Sequence, residues 1–462
     1  MPGMNTGTVL QSTLSMAGIK ERLKASPIAH RLARGAFWNL IGTVLARTLS
    51  VVASIAVARM LGKVGFGELG IIQSTLLNLS VFTSHGLGLT AIKYISECKR
   101  TDPARAGRIL VFSGVVASGA GLLFALVLIV TAPWFAEKIL AAPHLTNLLR
   151  LGGLVVFFTA VNGAQNGALA GFEAFKRLAQ TNLIVGLINF PLMVGGAWFG
   201  GLEGAVWGFV ASNAVGWLIT HRAVRLEAHR AGVPFSLQGI WTEFPVLKGY
   251  SLPALLSSVV YGPVGWVCNV MLVNQPDGYP QMAVFNATTQ WFAMIMFIPA
   301  LVSQVVLPMF SESIAKQDYE GSRKILRLSA SVNTAVVVPL VALTSLISPW
   351  ILALYGKGYA DYWLTFVVAL VTAGVLALVS PWAEVLNGGN LQWAMFGLNL
   401  SWGVASLISM ALLSGWGALG LVSARLAAFV VKGGLTVVIA NRMLGRMAAS
   451  GGESGATVEM RS

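Results

Sequence analysis

Twelve separate apolar runs of membrane-spanning length, spread between residues 36 and 440, constrain this chain more than any other feature. About twenty consecutive apolar residues cross the hydrocarbon of a bilayer, and there every backbone polar group must be satisfied within the segment, so each run is expected to be a helix. In the first half the runs cover 36–60, 68–92, 109–132, 147–170, 181–199 and 204–220. The second half gives 249–273, 282–308, 328–347, 362–386, 392–414 and 418–440. Only 10% of the 462 residues are charged, against roughly a quarter in soluble domains. The expected fold is therefore all-α, a polytopic membrane protein with about 12 transmembrane helices.

The basic residues orient it. With the N-terminus in the cytoplasm, every even-numbered connection is cytoplasmic, and those connections should be rich in Lys and Arg. Five fall in residues 1–35 and five more between Lys93 and Arg108. Further clusters are Lys176-Arg177, then Arg222, Arg225, Arg230 and Lys248, then Lys316, Arg323, Lys324 and Arg327. The opposite side offers only Arg59, Lys63, Lys138, Arg150 and Lys357. The net charge of +14 thus serves topology, and no nucleic-acid partner is expected, because that needs a basic patch clustered on a soluble domain. Trp38, Trp134, Trp198, Trp350 and Trp363 sit near span ends, where an amphipathic ring suits the headgroup layer.

Outside connections of about 15 residues or fewer leave no room for a folded periplasmic module, and both termini are expected in the cytoplasm. Residues 1–35 hold no signal-peptide pattern. The segment from Gly18 to Arg34 reads either as an amphipathic helix on anionic lipid, interrupted by Pro27, or as a disordered basic tail. Cys98 in a basic loop and Cys268 in an apolar run are not expected to form a disulfide.

The two halves repeat at an offset of about 213 to 217. Gly65-Phe66 matches Gly278-Tyr279, with Gln73 beside Asn286; Ser96-Glu97 matches Ser311-Glu312, Arg108-Ile109-Leu110 matches Lys324-Ile325-Leu326, and Pro133-Trp134 matches Pro349-Trp350. Six spans per copy is an even number, so both copies share orientation and should form two pseudo-symmetric six-helix lobes around a central cavity, or else a filled interface. The expected parts are a cytoplasmic basic segment 1–35, an N-lobe 36–220, a cytoplasmic linker 221–248, a C-lobe 249–441 and a cytoplasmic tail 442–462.

Four ionisable side chains fall well inside the spans: Arg47, Glu384, Arg425 and Lys432. A charge at such depth costs roughly 2.5–3.5 kcal/mol on insertion scales, so it should face a partner or a wet cavity. Arg425 and Lys432 are seven residues apart and share one face of span twelve, about 10 Å apart in depth. Counted from the span ends, Glu384 lies near the cytoplasmic mouth, Arg47 and Lys432 near mid-depth and Arg425 in the outer third. Such a ladder suits a phosphate-bearing substrate, since Arg grips phosphate oxygens in pairs and Lys acts as a point charge. The alternative is that Lys432 pairs with Glu384 while the others snorkel.

Gln73, Asn78, His85, Asn162, Gln165, Asn166, Asn286 and Gln290 also enter spans. They could meet sugar hydroxyls, although bonding between helices is the commoner role. His85 has no second His at ligand spacing, so no metal site is expected. Pro191, Pro253, Pro263, Pro299, Pro308, Pro339 and Pro381 read as hinges or merely as shape. Gly65 to Gly70 formally matches GxGxxG, but without a βαβ context it is no nucleotide site. No Walker A sequence is present either, so neither a cofactor nor ATP hydrolysis is expected.

The stretches VARMLGKVGFGELGIIQS (57–74) and GLTAIKYISE (88–97) resemble the start of polysaccharide repeat-unit flippases, the Wzx-type branch of the multidrug/oligosaccharidyl-lipid/polysaccharide exporter superfamily. The resemblance implies two six-helix lobes around a cavity that faces alternate sides, in a bacterial inner membrane. It implies a non-enzymatic carrier of undecaprenyl-pyrophosphate-linked oligosaccharide, with membrane lipids around it and the polymerase and chain-length components of a polysaccharide pathway as partners. The motif glycines carry over as turn formers. Two relatives of the same superfamily stay open, a cation-coupled multidrug exporter through Glu384 and a lipid-II flippase, although twelve spans rather than fourteen weaken the latter. An integral-membrane glycosyltransferase or polymerase is disfavoured by the short basic loops.

Overall fold

A computed structural model describes residues 27–246, 260–389 and 391–459, with side chains over 44–84, 87–246, 260–389 and 391–448. The expected Lys248 cluster member and most of residues 1–35 lie outside these. Eight helical runs among the described residues are long and apolar enough to cross a membrane, and three of them, at 55–57 residues, are long enough to cross twice.

Each long run does turn back. Pro27–Cys98 breaks at Gly62 (φ 68°) into α1 (27–61) and α2 (63–98). That left-handed backbone costs glycine nothing and would strain any residue with a Cβ. Phe175–Arg230 breaks at Gly200 and Gly201 into α5 (175–199) and α6 (202–230). Between them run α3 (Pro103–Trp134) and α4 (Thr146–Gly171). The second six are α7 (Tyr261–Val273), α8, α9 (Tyr319–Leu346), α10 (Trp363–Gly388), α11 (Gln392–Leu413) and α12 (Gly417–Glu459), with Gly417 (φ 59°) at the third turn-back. Helix α8 is divided into α8a (Gly278–Ile295) and α8b (Phe297–Ala315). Pro299 explains the division, since its ring clashes with the carbonyl four residues earlier, on Ile295. Among the described residues the outcome is twelve principal helices in two six-helix lobes.

The sequence repeat has a structural counterpart. Asp102 caps α3 by accepting a hydrogen bond from the Arg105 N–H at 2.9 Å, and Asp318 caps α9 by accepting one from the Gly321 N–H at 2.8 Å. Each satisfies an orphan donor at a helix start. Trp134, Trp198, Trp350 and Trp363 are exposed at helix ends, as interfacial anchors should be; the Trp38 side chain lies outside the described residues. Cys98 and Cys268 are both free. Large apolar side chains such as Leu123, Val130, Phe199 and Leu412 point outward, whereas alanines are frequent in the interior. Lipid gives no hydrophobic drive between helices, so close packing and hydrogen bonds hold them.

The lobes join where α2 meets α7 and α8a. Gly67 packs on the Tyr279 backbone and Gly70 on the Asn286 side chain, and a Cβ at either would collide. This corrects the reading of the motif glycines as turn formers: Gly65, Gly67 and Gly70 lie within α2, the turn is made by Gly62 before them, and Gly67 and Gly70 serve the close crossing of the two lobes. Trp266 Nε1 donates to Thr75 Oγ1 at 2.9 Å and Asn269 Nδ2 to Ser74 Oγ at 2.8 Å. At the α1–α2 turn, Arg59 Nε donates to the Leu354 carbonyl at 2.6 Å and Lys63 Nζ to the Gly358 carbonyl at 2.7 Å. Toward the opposite end α8b packs on α9 and α10 of its own lobe. The two lobes are thus tied together at the end bearing the α1–α2 turn.

The segment after α6 is strapped to α3. Glu243 is buried between Arg105 and Arg108, each Nε 3.4 Å from a carboxylate oxygen, and Trp241 meets Phe112 edge-on. The Glu243 carboxylate holds the Arg105 guanidinium above its ordinary pKa.

Candidate functional site

A cavity of about 210 Å³ lies within the C-lobe, walled by α7, α8a, α10, α11 and α12. Its apolar surface comes from Tyr261, Phe285, Phe292, Trp402 and Phe429, and its one ionisable lining group besides the Tyr261 phenol is Arg425. The guanidinium sits 4.4 Å above the centre of the Phe285 ring. A guanidinium nitrogen lies 3.7 Å from where a Cβ on Gly265 would be, so Arg425 packs at van der Waals distance against α7. Among the described residues no carboxylate pairs with Arg425 and no acceptor bonds to it. A guanidinium has five donors and no acceptor, so in an aromatic box it is a receptor for an anion. The Trp402 indole N–H is also buried there without a partner.

One turn along α7, Lys432 completes the cationic edge. Its ammonium donates to Asn399 Oδ1 at 2.9 Å and to the Tyr261 hydroxyl, and stands 4.8 Å from that ring's centre. The same Asn399 oxygen accepts from the Tyr261 hydroxyl at 3.0 Å. Thus Arg425 and Lys432, two turns apart on α12, both reach α7, at Gly265 and Tyr261 respectively.

The other two charges are elsewhere. Glu384 accepts from the Asn387 side-chain amide at 3.2 Å and forms no ion pair among the described residues, so the Lys432–Glu384 pair considered from the sequence does not form here. Arg47 donates to the Ala293 carbonyl at 2.9 Å and lies over the Phe297 ring at 4.9 Å, on the N-lobe side of the α8 break.

A second cavity, of about 210 Å³, lies between α1, α2, α5 and α6 with one contribution from α8a, and Gln73 and Gln290 line it. Gln290 Nε2 donates to Ser54 Oγ, and Asn286 Nδ2 to the Phe66 carbonyl at 3.4 Å, so both bridge the lobes. Asn78 packs beside Gly262 with its carbonyl oxygen buried and unpaired. In the N-lobe, Asn162 Nδ2 donates to the Asn213 carbonyl at 3.3 Å, Gln165 meets His221 at 3.4 Å, and the Asn166 side-chain oxygen is buried and unpaired. The His85 side chain lies outside the described residues. Among those described, no cluster of His, Cys, Asp or Glu could hold a metal ion.

Sequence reasoning missed Tyr261, Phe285, Asn399 and Trp402. An aromatic in a membrane helix reads the same whether it faces lipid or cavity. Asn399 carried a signal, being an amide in the middle of span eleven.

Residues 32–314 match the family described as polysaccharide biosynthesis protein. The EPS I polysaccharide export inner membrane protein EpsE is similar in two species. The Ralstonia nicotianae protein is 23% identical over 394 residues, 82% of this chain and 87% of that one. The Ralstonia solanacearum protein is 25% identical over 281 residues, 58% of this chain and 61% of the relative, so that match spans less than two thirds of the relative's length. Among solved structures, an inward-facing multidrug resistance MATE family transporter of the MOP superfamily superposes with a TM-score of 0.71 at 15% identity, covering 87% of this chain and 96% of that one. The lipid II flippase MurJ in an inward closed conformation gives 0.71 at 14% identity, covering 89% and 90%. At these identities the likeness is one of fold.

Proposed function

The chain belongs to the polysaccharide biosynthesis protein family, and on that premise we propose that it is a flippase, moving undecaprenyl-pyrophosphate-linked oligosaccharide repeat units from the cytoplasmic to the periplasmic leaflet of a bacterial inner membrane by alternating access. The observation that carries this reading is Arg425, a guanidinium with no acceptor among the described residues, inside an aromatic-walled cavity of one lobe.

A pyrophosphate leaving water loses strong hydration, and charge-assisted bonds from a guanidinium substitute for it. Lys432, already tethered to Tyr261 and Asn399, adds positive potential two turns away along α12 without having to leave its partners. The prenyl tail stays in lipid. A drug cation would instead call for a carboxylate, and no acid lines this cavity. With both termini cytoplasmic, as the basic loops imply, the tied end bearing the α1–α2 turn is periplasmic. A headgroup of about two negative charges moving outward in an inside-negative cell gains roughly 2.3 kcal/mol per charge per 100 mV, enough to bias direction without an ion gradient. Delivery to the polymerase and chain-length components of the same pathway would follow.

The deciding experiment deletes the protein and assays undecaprenyl-linked oligosaccharide by lipid extraction with leaflet-specific labelling. Accumulation on the cytoplasmic leaflet, reversed by re-expression, is expected. An unchanged lipid pool in a strain with no second flippase would overturn the assignment.

A further inference from the structure

The two lobes descend from one repeat, yet their cavities differ in chemistry. The C-lobe cavity has a guanidinium, while among the described residues the N-lobe cavity has no ionisable lining group. Its polar lining is Ser50, Ser54, Gln73, Asn189 and Gln290, two hydroxyls and three amides set among Val57, Leu69 and Phe209. Helix α8a stands between the two. Phe285, Thr288, Thr289 and Phe292 face the C-lobe cavity, and Gln290 faces the N-lobe cavity from roughly the opposite side of the same helix.

We propose that the N-lobe cavity is the subsite for the uncharged glycan of the substrate, so that the anion is held by the C-lobe and the sugar by the N-lobe. This rests on the lipid-linked oligosaccharide reading above. The chemistry of the lining selects the ligand class. An anion would find no cation there, and an organic cation no carboxylate. An apolar ligand would leave the amides unpaired in an apolar surround, which is costly. A polyhydroxyl ligand satisfies them, because sugar hydroxyls both donate and accept, as the lining amides and hydroxyls do. One acceptor is already waiting: the Gln290 side-chain oxygen is buried and has no donor.

The division also gives the substrate a handle on the conformational change. Among the described residues, Gln290 is the one lining residue of the N-lobe cavity contributed by the other lobe, and its Nε2 donates to Ser54 Oγ across the lobe boundary. A sugar hydroxyl that takes over either partner replaces a bond between the lobes by a bond to cargo.

The test uses the full-length protein in lipid nanodiscs and two probes, undecaprenyl pyrophosphate without sugar and the same lipid carrying a short neutral oligosaccharide. Wild-type protein should bind the glycosylated probe more tightly. Gln73→Leu and Asn189→Leu, made separately, should each weaken the glycosylated probe about tenfold, close to one net hydrogen bond, and leave the bare pyrophosphate probe unchanged. Arg425→Gln should weaken both. If either N-lobe variant misfolds, as judged by its melting transition, Ser50→Ala substitutes for it, since it removes a hydroxyl without adding bulk. Equal affinity of wild-type protein for the two probes, or equal weakening of both by well-folded N-lobe variants, would overturn the glycan subsite while leaving the flippase reading standing. Failure of wild-type protein to bind either probe would overturn the flippase reading and this subsite with it.

Discussion

Lys63 is the sharpest place to test how the two lobes are held together. Its ammonium donates to the Gly358 carbonyl at 2.7 Å and lies 5.3 Å and 4.9 Å from the ring centres of Tyr359 and Tyr362, all on the opposite lobe. A hydrogen bond to a charged group is worth about 1.5–3 kcal/mol, and a partly exposed cation–π contact about 0.5–1. Two effects reduce that sum. Burial pulls the Lys63 pKa below its ordinary value, with Asp361 opposing, so desolvation offsets part of the gain, and solvent screens what is exposed. A net figure of about 1–2 kcal/mol corresponds to a factor of roughly 5–30 in the ratio of closed to open states. Lys63→Ala should therefore move a measurable fraction of molecules to a state open at this end. Spin labels at Arg150→Cys and Ala353→Cys, one on each lobe at that end and both exposed, would report it as a longer distance population by pulsed electron resonance. Indistinguishable distance distributions with and without Lys63→Ala would refute the latch.

Three further outcomes follow from the same geometry. Arg425→Ala should weaken binding of a pyrophosphate lipid about tenfold or more and impair export with normal membrane insertion. Arg425→Lys should recover only part, because an ammonium does not bond in pairs; export unaffected by both Arg425→Ala and Arg47→Ala would eliminate the cationic ladder. Gly67→Ala, whose new methyl would meet the Tyr279 carbonyl, should cost about 1–3 kcal/mol of the lobe contact, read as a lower melting temperature than Gly65→Ala. Glu243→Gln should leave Arg105 and Arg108 facing each other without their shared acid, and residues 231–246 should be cut faster in limited proteolysis; unchanged cleavage would show that the strap is held by Trp241 and Phe112 instead.

Much of the architecture was legible in the sequence because the bilayer imposes it. Long apolar runs must be helices, so their number follows from hydropathy, and the duplication shows at span boundaries such as Trp134 and Trp350. Seven-residue spacing put Arg425 and Lys432 on one face of α12, and the structure finds both against α7. What the sequence left undecided was which groups those faces meet. Hydrophobic pattern separates core from surface only when the surround is water. In lipid, Phe285 and Trp402, which line a cavity, look like Phe199 and Trp198, which are exposed on the outer surface.

The sequence by itself determined the solvent, the helices and the repeat, since these follow from local composition and pattern, and a fixed rise per residue put Arg425 and Lys432 on one helix face. Only the tertiary structure decided that Gly67 and Gly70 are contacts rather than turns, that Lys432 turns to Tyr261 and Asn399 and not to Glu384, and that Arg425 is left without an acceptor. Those facts depend on which residues of distant helices come within a few ångströms of one another. In lipid that pairing is set by shape and hydrogen bonding between helix faces, which no single stretch of the chain contains.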